Sequence, residues 1–436
     1  MPDSQPQQPQ QPPRNDTVPG PGGALVLGGA RLADGRAVDV RLSGGRIEAV
    51  GTAGSLVPGP RLDLTGYLLL PAPAEPHAHC DTALTAEIAG PVPYAPEDVR
   101  RRTTEAALLH LGHGATALRT HVGVGGVHGL RSLEAVLQAG HTLRGLTDLG
   151  AVAVPRVLTG AAGADGLAML RDAVKMGAAV VGGCPDLDPD PTGHAEAVLD
   201  LAARHGCAVD LHTDGDDPAR LARFAAMAGG LRPGVTIGPC AGLARLPREV
   251  AARLADRLAA ADVTVVCLPQ GDCGGLEDRG ARGASGRSGP AGPSAPGCAP
   301  VRLLRAAGVR VAAGSGALRD TVNPVGRGDP LEAAFLLASR EGLDPAEAYE
   351  AVCGRARAAL GLPEVRVEAG FPAELLAVRG EGLAGVLSLA YSRVVVHQGR
   401  VVARTSAVRE YCDSAAAVAL DLPRQTRAQD QGGEQA

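Results

Sequence analysis

Leu69-Leu70-Pro71-Ala72-Pro73-Ala74-Glu75-Pro76-His77-Ala78-His79-Cys80-Asp81-Thr82-Ala83-Leu84-Thr85-Ala86 is the stretch whose reading decides the fold. An apolar run ends in two histidines one residue apart. Side chains alternate along a strand, so His77 and His79 share a face. Two imidazoles meeting at a strand end make a seat for a transition metal. Alone, His-x-His is equally the mark of two loop histidines that hold nothing.

Outward from this stretch, strand and helix patterns alternate, the signature of a parallel α/β fold. Expected strands are 115–122, 151–158, 178–182, 207–212, 235–237, 263–268 and 309–312. Expected helices are 96–111, 130–143, 167–176, 193–205, 218–228, 247–261, 301–307, 331–340 and 345–360. With the histidine strand, that makes eight strand–helix units. Eight suits a closed (β/α)8 TIM-like barrel over residues 71–365. A doubly wound sheet would want a glycine-rich phosphate loop after its first strand; the histidines stand there instead. Short alternating strands lie at both ends, at 24–27, 37–42 and 46–50, then at 374–378, 392–397 and 400–403. Residues 23–70 plus 366–408 therefore read as one small composite β-sandwich. Residues 1–22 are rich in Gln and Pro and read as a disordered tail, as do 413–436. The Gly/Arg/Ser/Pro-rich stretch 271–300 interrupts the barrel pattern as a low-complexity insertion.

Composition narrows the function. Hydrophobic residues make up 45% of the 436, enough for a large core, and it must be aliphatic, because there are 3 Phe, 5 Tyr and no Trp. The net charge of −5 and the absence of a basic run argue against nucleic-acid binding. No apolar run reaches about 18 residues, so no membrane span is expected. The first residues lack the apolar segment of a secretory signal. Nine Cys without a Cys-x-x-Cys pair read as reduced thiols, hence cytoplasm.

The run Glu-Pro-His-x-His-x-Asp-Thr-x-x-Thr-Ala at 75–86 resembles the first-strand metal motif of cytosine-deaminase-like amidohydrolases. That family builds a (β/α)8 barrel around one divalent metal, zinc or iron, with a sandwich from both chain ends. The resemblance extends over about 24–405. Arg119-Thr120-His121-Val122 is similar to the family's second-strand segment and offers His121 as a pocket residue. Val154-Pro155-Arg156 falls where the family reads its substrate with a Gln. An Arg lacks an amide's acceptor, and suits a carboxylate or phosphate, or simply faces solvent. Asp210-Leu211-His212-Thr213-Asp214-Gly215 resembles Asp-x-His-x-Asp-Glu. The resemblance makes His77, His79 and His212 the metal ligands. The proton-shuttling Glu falls on Gly215, the sixth-strand His on Pro239 and the eighth-strand Asp on Gly316. Asp214 is the remaining catalytic candidate, with Asp216 beside it, provided the loop bends. Cys240 is a possible thiolate ligand or an inert buried thiol.

These residues imply a metal-dependent hydrolase of non-peptide C–N bonds in a cyclic amidine or amide, with reduced or altered activity. The alternative is an inactive scaffold that binds a ligand or partner. Either reading expects a small-molecule ligand and leaves room for a homo-oligomer.

Overall fold

The computed structural model describes residues 23–56, 59–126, 128–271, 298–389 and 391–407. The expectations for 1–22, for most of 271–300 and for 413–436 lie outside these residues.

Eight parallel strands follow one another in sequence order. They are β6 (Glu75–Ala78), β7 (Ala117–Val124), β8 (Asp148–Pro155), β9 (Val180–Gly183), β10 (Ala208–Thr213), β11 (Val235–Pro239), β12 (Thr264–Cys267) and β13 (Arg310–Ala313). Helices separate them: α1 (Pro96–Gly112), α2 (Arg131–Thr142), α3 (Gly160–Met176), α4 (Pro191–His205), α5 (Pro218–Ala228) and α6 (Arg248–Ala260), then Val301–Ala306. The ring closes just past β13, where Gly316 bridges Ala78 and its N–H donates to the His77 carbonyl at 3.0 Å. This is the expected (β/α)8 barrel.

Local chemistry explains where its helices begin. Asp190-Pro191, Asp217-Pro218, Asp329-Pro330 and Asp344-Pro345 each open a helix, with the Asp side chain accepting first-turn N–H groups. Proline at the first helical position forfeits only an N–H that had no partner. Two expectations shift. The third helix begins at Gly160, earlier than its apolar periodicity suggested. A Cβ on Gly163 or Gly166 would lie 2.3 or 2.2 Å from the backbone of Leu158 or Val157, so close approach requires glycine there. The expected helix 345–360 is two helices, Pro345–Val352 and Gly354–Ala359, broken where Cys353 turns to φ −113° and ψ −96°.

The two chain ends meet in one hydrogen-bonded sheet. Its strands are β1 (Leu25–Arg31), β2 (Ala37–Ser43), β3 (Arg46–Thr52), β4 (Arg61–Asp63), β5 (Tyr67–Pro71), β14 (Leu375–Arg379), β15 (Arg393–His397) and β16 (Arg400–Thr405). The order is β16-β15-β14-β5-β1-β2-β3, with β4 beside β1. The piece expected as a sandwich is thus one continuous eight-stranded sheet from both ends. Period-two alternation divides its side chains between two cores. Leu69, Leu375, Ala377, Val394 and Val396 pack within the sheet, while Leu68, Leu70, Leu376, Val378 and Val395 join the barrel core. Burying each Leu or Val contributes about 1.5–3 kcal/mol. The sheet is thereby fixed against the barrel, and β5 runs directly into the strand that carries the histidines.

Candidate metal centre

Three barrel strands carry paired polar residues two positions apart: Glu75 and His77 on β6, Arg119 and His121 on β7, Asp210 and His212 on β10. Equal parity puts each pair on one face in two successive layers. All six are buried.

The upper layer is imidazole. The ring centroids of His77 lie 5.1 Å from His79, 4.0 Å from His121 and 5.4 Å from His212. His79 lies 5.5 Å from His121 and 6.0 Å from His212. The ligand atoms of His77, His79 and His121 all fall within 4.8 Å of one another, the group among the described residues able to hold a metal. His121, expected in the pocket, therefore belongs to this group, and His212, expected as the third ligand, stands beside it.

The lower layer is charged and lies directly beneath the upper. Arg119 Nη1 donates to Asp210 Oδ2 at 3.0 Å, and His121 Nε2 lies 3.3 Å from Asp210 Oδ1. Burial raises the Asp210 carboxyl, but His121 and Arg119 outweigh it and hold it below the ordinary value. Both ring nitrogens of His121 are buried with no hydrogen-bond partner. Glu75 accepts from the His77 N–H at 3.0 Å, the Ser315 N–H at 3.0 Å and the Ser315 hydroxyl at 2.5 Å. Burial pushes its carboxyl up to about 7 against these donors. Glu75 thus ties the first strand to the segment beyond the eighth. A Cβ on Gly314 would come 2.5 Å from its Oε1, so that segment needs glycine. Nearby His110, with Nδ1 3.9 Å from Glu75, is pushed down to about 4 by burial.

The nitrogen donors, their burial and their convergence fit zinc or ferrous iron. A cavity of about 250 Å³ opens beside them, lined by His79, Asp81, His121, Arg156, Tyr94 and His128 among others. Tyr94 and His128 stack, with centroids 4.6 Å apart and planes at 28°.

The other expected site positions lie elsewhere. Gly215 takes φ +72° and turns the chain away after β10. Asp214 accordingly accepts the Gly242 N–H at 2.8 Å and pairs with Arg245, whose guanidinium is also 4.0 Å from Asp216. Neither acid lines the cavity. Asp186, on the turn Pro185–Leu187, fixes this strand end: it accepts from Thr213 Oγ1 at 2.9 Å, the Asp214 N–H at 2.8 Å and Arg220 at 2.7 Å. Pro239 ends β11 in register with Thr213. Cys240 is wholly buried, and burial pushes its thiol far up, so it stays protonated.

Sequence reasoning missed Glu75, Arg119 and Asp210 as site residues. Each lies two positions before a histidine already singled out, so strand parity was the available signal.

Comparisons with known proteins agree with this geometry. A profile of the amidohydrolase family matches residues 81–403. The chain is 29% identical over 322 residues to a pterin deaminase of Rhizobium rhizogenes, covering 71% of this chain and 70% of that protein. Among solved structures, N-isopropylammelide isopropylaminohydrolase from Burkholderia multivorans is similar at a TM-score of 0.76 and 27% identity, covering 88% of this chain and all of that one. A 5-methylcytosine deaminase from Klebsiella pneumoniae shares the fold at a TM-score of 0.73 and 23% identity, covering 90% of this chain and 100% of that one.

Proposed function

The chain belongs to the amidohydrolase family, and from that premise we propose a metal-dependent hydrolase of non-peptide C–N bonds in small cyclic amidines or amides, with turnover well below that of a complete site. The observation that carries this reading is the buried group His77, His79 and His121, with His212 beside it, bordering a cavity of about 250 Å³. These residues would hold one zinc or iron. A divalent cation there would supply Lewis acidity toward water and toward a carbonyl oxygen or ring nitrogen of the ligand. The pterin deaminase and isopropylaminohydrolase likenesses support C–N bonds in nitrogen heterocycles as the target.

The chain's own groups set the limit. Hydrolysis needs a proton delivered to the leaving nitrogen, and general acid–base help is worth about 10²- to 10⁴-fold. Gly215, Pro239 and Gly316 carry no group for this. Asp214 is held by Gly242 and Arg245. Among the described residues, Asp81 is the carboxylate that lines the cavity, and it takes the proton-moving role in this reading. The described cysteines are free thiols, which supports a reducing cytoplasm.

The scaffold reading, binding without turnover, is favoured by one observation: the acid next to His212 is committed to Arg245. Metal analysis of purified protein, together with a hydrolysis panel of pyrimidines, pterins, cyclic amides and imides, separates the two. The hydrolase reading expects about one metal per chain and slow turnover lost in His212→Ala. Metal-free protein with no turnover contradicts it.

A further inference from the structure

The turn from β7 into α2 is rich in glycine, and its residues border the same cavity as the histidines. Gly123, Gly125, Gly126, His128 and Ser132 all line it. Gly125 and Gly129 bond each other's backbone, N–H to carbonyl, at 3.0 and 3.1 Å. Gly125, Gly126 and Gly129 take φ of +109°, +58° and +58°, which glycine adopts at no steric cost. Gly123 differs. Its φ lies outside that region, and a Cβ on it would meet nothing within 4 Å. Neither backbone nor packing demands glycine there, so the space is open to a ligand that approaches the main chain.

The helix beyond the turn starts uncapped. Leu130 offers no side-chain acceptor to the first turn. Among the described residues, the N–H groups of Ser132 and Leu133 have no hydrogen-bond partner. Free N–H groups at a helix start carry a partial positive charge and attract anions. The independent observation is the Ser132 side chain. It is only 3% exposed, it faces the cavity, and its hydroxyl makes no hydrogen bond among the described residues. A buried hydroxyl is ordinarily bonded, so one that looks into open space calls for an acceptor on a ligand. The set is three donors: one hydroxyl and two main-chain N–H groups. A phosphate presents three acceptor oxygens to such a set, where a carboxylate presents two. Asp81, Tyr94 and Arg156 on this cavity are already engaged, and none of them belongs to the set. The charge of Asp81 works against any anion in the cavity, so binding is expected to be modest.

We propose that the start of α2 is a phosphate subsite of this cavity, formed by the Ser132 hydroxyl and the N–H groups of Ser132 and Leu133, and that the ligand is a phosphate monoester. The subsite deepens the hydrolase reading by giving its ligand a phosphate, and rests on that reading only for what is done to the remainder of the ligand.

The test is calorimetric titration of full-length protein with phenyl phosphate and, as its carboxylate counterpart, benzoate. Phenyl phosphate is expected to bind at about millimolar concentration or below, and about tenfold tighter than benzoate. Ser132→Ala should weaken phenyl phosphate about tenfold, and Ser132→Thr, which keeps the hydroxyl, should stay within about threefold of wild type. Ser132→Asp should abolish binding with an unchanged urea midpoint, because an acid in the first turn suits the helix and repels the phosphate. Benzoate bound as tightly as phenyl phosphate, unchanged affinity in Ser132→Ala, or no binding at about 10 mM overturns the proposal. Chelator-treated samples are run alongside: binding that is lost with the metal and indifferent to Ser132 puts the phosphate on the metal and overturns the subsite. Turnover assays on the same samples keep the two readings apart. Ser132-dependent binding in protein without turnover supports the subsite and counts against the hydrolase alone, whereas turnover without phosphate binding overturns the subsite alone.

Discussion

Two arcs of one barrel mouth make different use of the same scaffold. Across β6, β7 and β10, each strand presents a polar residue below a histidine: Glu75 accepts the His77 backbone N–H, and Asp210, paired with Arg119, lies 3.3 Å from His121. Across β11 and the segment after β13, the corresponding positions are proline and glycine, and backbone is their main contribution. The Gly316 N–H closes the ring on the His77 carbonyl, and Ser315 grips Glu75. One arc is built to hold a ligand atom, the other to close the barrel around it. The histidines and the polar residues below them thus stand on β6, β7 and β10, while Pro239 and Gly316 stand on the closing arc.

The comparison breaks first at the donors. His77→Ala should lower bound metal by more than about tenfold, since a three-nitrogen group loses a member. Element analysis per chain, with circular dichroism to confirm folding, reads this directly, and metal content equal to wild type would dissolve the distinction between the arcs. A smaller effect is expected one layer down. Asp210→Asn removes the charge behind His121 and should weaken metal affinity about tenfold, measured by competition with a chelator. Unchanged affinity would mean that the lower layer only packs.

The closing arc should respond in stability and leave metal content alone. Gly316 has φ +71°, so Gly316→Ala should cost about 1–2 kcal/mol in urea unfolding with metal stoichiometry preserved. Loss of metal without loss of stability would reverse the roles assigned here.

The smallest effect on the centre is expected from the end sheet. Arg61 holds the buried Asp39 carboxyl at about 2, with its guanidinium 2.7 Å away. Its unfolded value is near 3.9. The pair's stabilisation is therefore complete above about pH 4 and disappears as the pH falls toward 2. Asp39→Asn should flatten the fall in urea midpoint over that window and leave metal content unchanged at neutral pH.

Much of this was legible in the sequence because it rests on periodicity. Alternating strand and helix patterns and the His-x-His run gave the barrel, and short strands at both ends gave a composite piece built from the two chain ends. Parity would have given Glu75, Arg119 and Asp210 as well. What parity cannot give is how far each strand has slid along its neighbour, and that stagger decides which histidines meet. The resemblance makes His121 a pocket residue and His212 the third donor; in the structure the His121 ring lies 4.0 Å and the His212 ring 5.4 Å from His77. Asp214 shows the same limit at short range. Two residues from His212 in the chain, it is carried off by the turn at Gly215 to an arginine that no local pattern announces.

Metal content per chain in wild type and His121→Ala, measured on the same preparation scale with folding confirmed, addresses the three-imidazole centre most directly. The account predicts about one zinc or iron per wild-type chain and less than about a tenth of that in the variant. Full metal occupancy in His121→Ala, or none in the wild type, would contradict it.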